Sequence, residues 1–143
     1  MIKESVRSLI LDTEAVSVLA RRQGRDTVIR LRAALDLDTI VFFPTIVLAE
    51  ILTGGQADAA VWRIVNKLTP VGLTTQISAH AGSLRERAEK VRRKKRDLTV
   101  DAVVAATAIA RAPSLLITGD VEDLRLLTDG SDAKVVPVSM EKR

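Results

Sequence analysis

Four acidic residues stand where the chain is otherwise apolar: Asp12, Glu50, Asp101 and Asp120. A buried ionised carboxylate is costly unless it is paired or binds a metal. Asp12 ends the run Ser8-Leu9-Ile10-Leu11. Glu50 lies in Ile46-Val47-Leu48-Ala49-Glu50-Ile51-Leu52, with Ile46 and Val47 at helical spacing before it and no basic residue between Thr39 and Val61. Its neighbours therefore place it on an apolar face. Asp101 opens a stretch that is apolar almost all round. Asp120 follows Leu115-Leu116-Ile117-Thr118-Gly119, and Asp123 comes three residues later.

Each acid also has a plain structural reading. Asp12 suits an N-cap, Asp101 and Asp123 suit first helical turns, Asp120 suits a turn or cap, and Glu50 suits an exposed helix edge. Their combination says more than any one of them. Asp12 and Asp120 both follow apolar strands, so a parallel sheet puts them at the same edge, where ligands bind in open α/β sheets. Glu50 and Asp101 lie early in helices that begin near that edge. Carboxylates gathered there repel unless a cation joins them. Hard divalent cations take oxygen ligands, activate water and stabilise in-line displacement at phosphorus. Thr13 and Thr118 sit beside the acids and suit hydrogen bonds to them or to a ligand water.

The charge distribution points the same way. Of 143 residues 22 are basic and 18 acidic, for a net charge of +4. Between Arg85 and Arg96 there are eight basic and two acidic residues, so this segment alone carries +6. Such clustering suits a phosphate backbone. Arg85, Arg92, Arg93, Lys94, Lys95 and Arg96 are the candidate nucleic-acid contacts, although cations also favour a helix C-terminus for its own sake.

Composition removes other chemistries. The chain has no cysteine, which excludes disulfides, cysteine-zinc sites and thiol nucleophiles. His80 is the single histidine, read as exposed or structural. Phe42, Phe43 and Trp62 are the only aromatics, too few for a base-stacking platform. Trp62 is expected in the core or an interface. No stretch reaches the ~18 apolar residues of a membrane span. The N-terminus does not read as a signal peptide, so a cytoplasmic protein is expected.

The elements that must position the acids alternate. Strands are expected at Ser8–Leu11, Thr39–Phe43, Pro70–Thr74, Leu115–Thr118 and Lys134–Val138, from short apolar or β-branched runs. Pro137 puts the last strand at an edge or its end. Helices are expected at Glu14–Arg22, closed by Gly24, and at Arg25–Leu35, Thr45–Thr53, Ala57–Leu68, Ser78–Arg96, Thr99–Arg111 and Val121–Leu127. Pro44 is assigned to the first turn of the helix that follows it. This alternation implies one α/β domain over residues 1–143 with a mainly parallel sheet.

On these segments the chain resembles a PIN-domain ribonuclease, in particular the VapC-type toxins. The likeness runs from Leu9 to Val138. It rests on Leu11-Asp12-Thr13, Pro44-Thr45-Ile46-Val47-Leu48-Ala49-Glu50-Ile51, Val100-Asp101 through Thr107-Ala108, and Leu116-Ile117-Thr118-Gly119-Asp120-Val121-Glu122-Asp123-Leu124. It implies a three-layer α/β/α sandwich and a metal-dependent endoribonuclease using Mg²⁺ or Mn²⁺. Asp12, Glu50, Asp101 and Asp120 match the acidic quartet, with Asp12, Asp101 and Asp120 as metal ligands and Asp123 as a further neighbour. It also implies an RNA substrate, a small antitoxin partner and a homodimer. The main rival is a non-catalytic nucleic-acid or protein-binding module on the same fold. A phospho-accepting receiver-like domain is disfavoured because its middle acid would lie inside a helix, and a DNA nuclease because little chain remains to grip a duplex.

Overall fold

The structure is a computed structural model and describes residues 6–21, 39–92 and 96–138. The helix expected at Arg25–Leu35, its preceding Gly24, and Arg93, Lys94 and Lys95 lie outside those residues.

Five strands form one sheet in the order β3-β2-β1-β4-β5, and every pairing is parallel. They are β1 (Ser8–Leu11), β2 (Ile40–Pro44), β3 (Thr69–Val71), β4 (Ser114–Thr118) and β5 (Ala133–Pro137). The inner strands are continuous apolar runs because both faces are covered. Leu9, Ile10, Leu11 and Leu116 are wholly buried.

The described helices are α1 (Thr13–Arg21), α2 (Ile46–Ile51), α3 (Asp58–Val65), α4 (Thr75–Val91), α5 (Thr99–Ala110) and α6 (Val121–Leu127). They pack in two sets: α1 against α3, and α4, α5 and α6 against one another. Right-handed crossovers in this strand order put the two sets on opposite faces, giving three layers. In α5, Ala102, Ala105, Ala106 and Ala108 are all buried, and their small side chains let the helix lie close to the sheet and to α4.

Several boundaries differ from expectation for identifiable reasons. Pro44 ends β2, paired with Val71, instead of opening a helix. A proline needs no donor there, and the next residue continues the ladder through Thr45 N–H to Val71 C=O at 3.0 Å. Strand β3 stops at Val71, earlier than expected, because Thr74 serves as the N-cap of α4: its hydroxyl accepts from Ile77 N–H at 3.1 Å. Helix α4 ends at Val91 rather than Arg96, with Arg92 as its extended C-cap. Helix α3 is shorter than Ala57–Leu68 at both ends. Trp62 is 44% exposed and is not a core residue. Pro137 sits at the end of the edge strand, as its missing N–H requires.

Candidate active site

The strand order reverses direction between β1 and β4, since β2 flanks one and β5 the other. Connections leave these two strands in opposite directions and open a crevice at their C-terminal ends. Asp12 follows β1 there, and Thr118 ends β4 beside it.

Asp12 is only 6% exposed. One carboxylate oxygen accepts from Ala15 N–H at 2.9 Å, so Asp12 does cap α1. The other accepts a short hydrogen bond from the Thr118 hydroxyl across the crevice. Thr118 in turn accepts from Asp120 N–H at 2.8 Å, which ties the β1 end to the turn entering α6. Burial pushes the Asp12 carboxyl up to about 6, against the lowering effect of its hydrogen bonds, with Glu14 and Asp120 adding repulsion.

Asp101 stands in the first turn of α5, half-buried. Its carboxyl is also pushed up to about 6 by burial, with Asp120 and Asp12 adding to the rise and Arg96 opposing it. Asp120 is raised by burial and by the charge of Asp123. It stands at the N-cap position of α6. Burial alone would raise Asp123 as well, but Arg96 and Arg92 outweigh it and hold that carboxyl below its ordinary range.

Carboxylate oxygens of Asp101, Asp120 and Asp123 lie within 4.8 Å of one another. All three donors are hard oxygens, the set that Mg²⁺ and Mn²⁺ take. Asp12 is not among these three, but it is close enough to feel the charge of Asp120 and to perturb Asp101.

The PIN-domain family model matches residues 9–130, a span that includes every acid described above. The chain belongs to the PIN-domain family. PIN domains are generally nucleases. No relative was matched among curated proteins. Solved structures share the PIN fold at low identity. VapBC2 from Rickettsia felis, bound to a DNA fragment from their promoter, matches at TM-score 0.69 and 17% identity over 91% of this chain and 98% of that chain. VapBC-1 from nontypeable Haemophilus influenzae matches at TM-score 0.68 and 19% identity over 92% and 98%. DNA-bound VapBC from Salmonella typhimurium matches at 0.65 and 17% over 93% and 99%.

The remaining sequence candidates surround this PIN site unevenly. Glu50 is exposed on α2, although Val47 one turn before it is buried, so the apolar-face expectation does not hold for its side chain. Its Oε1 accepts from the Thr13 hydroxyl at 2.5 Å, which connects it to the residue after Asp12. Arg85 reaches the Thr99 hydroxyl at 3.4 Å. Arg92 grips Asp123 with two parallel bonds, Nε to Oδ1 at 2.7 Å and Nη2 to Oδ2 at 2.9 Å, both side chains being largely buried.

Arg96 is the residue whose place sequence reasoning missed. Its Nη2 lies 2.7 Å from Asp101, 2.5 Å from Asp120 and 3.0 Å from Asp123. The turn that brings it there is marked by Asp97, whose Oδ1 accepts from the Thr99 N–H and hydroxyl at 3.0 and 2.6 Å. That Asp-Leu-Thr signal at the start of α5 was available in the sequence as a break in the long helix. Where the break would aim Arg96 was not.

Beside the acids, Arg92 and Arg96 also line an open groove of about 840 Å³ between the end of α4 and α6, with Val91, Arg125, Asp120 and Asp123.

Proposed function

We propose that this PIN domain is a metal-dependent endoribonuclease that hydrolyses RNA phosphodiesters, and that it is the toxin of a toxin–antitoxin pair. The observation that carries the reading is the convergence of Asp101, Asp120 and Asp123 at the strand-order reversal, with Asp12 buried beside them. Four carboxylates in partly enclosed surroundings are an arrangement that a divalent cation stabilises.

Asp12, Asp101 and Asp120 hold Mg²⁺ or Mn²⁺ in this reading, directly or through water, with Asp123 as a further ligand. When bound, the ion lowers the pKa of water and offsets charge on the scissile phosphate. Thr118 keeps Asp12 in one rotamer, and Thr13 does the same for Glu50. Glu50 and Asp120 orient the attacking water or accept its proton. Glu50 suits that role because its carboxylate is exposed, is held by the hydroxyl of Thr13 next to Asp12, and has no ion-pair partner among the described residues. Basic residues from Arg85 to Arg96, other than Arg92, which is committed to Asp123, hold flanking phosphates of the RNA.

The likeness to VapBC structures supports a small antitoxin as partner, and the groove beside Arg92 and Arg125 offers it mixed charge and the exposed Val91. A homodimer in the cytoplasm completes the proposal.

The test is cleavage of a mixed structured RNA by the purified protein with Mg²⁺, with Mn²⁺ and with EDTA, beside Asp101→Asn. Metal-dependent cutting that is lost in the variant is the expected result. No cutting together with no Mn²⁺ binding would overturn the enzyme in favour of a non-catalytic binding module.

A further inference from the structure

Arg92 and Arg96 both meet the aspartates, but in different ways. Arg92 uses the guanidinium fork on a single carboxylate and is 11% exposed. Removing it from Asp123 would mean moving a buried group. Arg96 is 48% exposed and brings one nitrogen to three different carboxylates. That nitrogen carries two hydrogens for three acceptors, so at least one hydrogen is shared between two carboxylates. It sits among the oxygens as a point cation would. The three oxygens that surround it belong to the same aspartates whose carboxylates lie within 4.8 Å of one another.

We infer that Arg96 is an internal counter-cation that occupies the divalent position of the acidic centre, so that metal binding and Arg96 occupancy exclude each other. The inference rests on reading this cluster as a divalent site. Without a metal, the guanidinium holds Asp101, Asp120 and Asp123 together against their repulsion. A divalent ion must displace it. Release is feasible because half of the Arg96 side chain already lies in solvent, but it breaks contacts to three carboxylates at once and so opposes the ion measurably. Arg92 stays in place and continues to orient Asp123. Arg96 is therefore a positioning residue, and its effect is a brake on metal affinity.

The experiment is Mn²⁺ binding, read as loss of the free-ion electron paramagnetic resonance signal, for the full chain and for Arg96→Ala, Arg96→Gln, Arg96→Lys and Asp101→Asn. Melting curves in EDTA and in Mn²⁺ accompany it. Arg96→Ala and Arg96→Gln are expected to bind Mn²⁺ at least about tenfold more tightly than the wild type, with Arg96→Lys between them because it keeps the charge. In EDTA the neutral variants melt lower, and Mn²⁺ raises their melting temperature by more than it raises that of the wild type. Asp101→Asn loses the tight binding, which locates the ion. Equal or weaker Mn²⁺ affinity in the neutral variants would overturn the counter-cation while leaving the metal site intact. Absence of binding in every protein would overturn the metal site itself, and this inference with it. Should Arg96→Ala fail to fold, the near-isosteric Arg96→Gln carries the same comparison.

Discussion

On the α6 flank of the site, Asp120 and Asp123 face two guanidiniums, and Asp123 is gripped by both. On the β1 flank, Asp12 faces a hydroxyl and a backbone N–H, and Glu50 faces a hydroxyl. No basic side chain pairs with either of those acids among the described residues. The electrostatic consequence runs in opposite directions. The carboxyl of Asp123 is held low, whereas that of Asp12 is pushed up to about 6. One flank carries its own counter-charge and is built to keep its shape. The other is built around a charge left without one, and it gains most when a cation arrives. Asp101 lies between the flanks, raised like Asp12 although Arg96 touches it.

The largest expected effect breaks the β1 flank. Asp12→Asn should reduce metal-dependent RNA cleavage by about 100-fold or more, as loss of a ligand or of a preorganised electrostatic group does. Initial rates on a single labelled RNA measure it, and a variant retaining full activity removes Asp12 from the ligand set.

Breaking the other flank should act on stability first. Arg92→Ala leaves the buried Asp123 without its two-pronged partner. Loss of one member of a buried pair costs about 3 kcal/mol or more, and Arg96 offsets part of that. Urea denaturation in EDTA measures it. Arg92→Lys should recover only part of the loss, because an ammonium cannot reproduce the fork.

The pH response separates the flanks. Asp12 rises from an ordinary 3.8 to about 6 on folding. The unfolded chain therefore loses this proton at lower pH than the folded one, and stability falls as pH climbs from about 4 to 6. The full penalty is present above that window and absent below it. Its size is on the order of 2–3 kcal/mol. Denaturation in EDTA at the two ends of the window should show a larger loss for the wild type than for Asp12→Asn. Adding Mn²⁺ at neutral pH should restore stability to the wild type. Equal slopes in the two proteins would contradict an uncompensated Asp12.

The smallest effect on stability is expected at the rim. Glu50→Gln should stay within about 0.5 kcal/mol, since the side chain is exposed and keeps an acceptor for Thr13. Cleavage should nevertheless fall if Glu50 handles the water. Thermal melting and the cleavage assay run side by side separate the two. A loss of stability comparable to that of Arg92→Ala would make Glu50 a structural residue.

The strands were legible in the sequence because buried parallel strands are apolar throughout and end abruptly at polar residues, as β1 ends at Asp12 and β4 at Thr118. The apolar composition of α5 likewise announced a helix covered on all sides. The boundaries that shifted, at Pro44, Thr74 and Val91, are those where a local signal has two physical solutions. A proline fits a strand end or a first helical turn, and a threonine fits a strand or a cap.

Asp12, Asp101 and Asp120 stood out because a carboxylate beside apolar residues is costly when it is enclosed, and they are buried or half-buried; the same signal misjudged Glu50, whose side chain is exposed. The arginines could not be placed in the same way. Eight basic residues from Arg85 to Arg96 read as one positive surface, since charge in a sequence has sign but no direction. Only the end of α4 at Val91 and the turn at Asp97 turn Arg92 and Arg96 back onto the aspartates. Residue type and order therefore determined the sheet and the acids that follow its strand ends. Which acids come within 4.8 Å of one another, and which arginine lies among them, depends on distances of a few ångströms between segments far apart in the chain, and those exist only once the helices have packed.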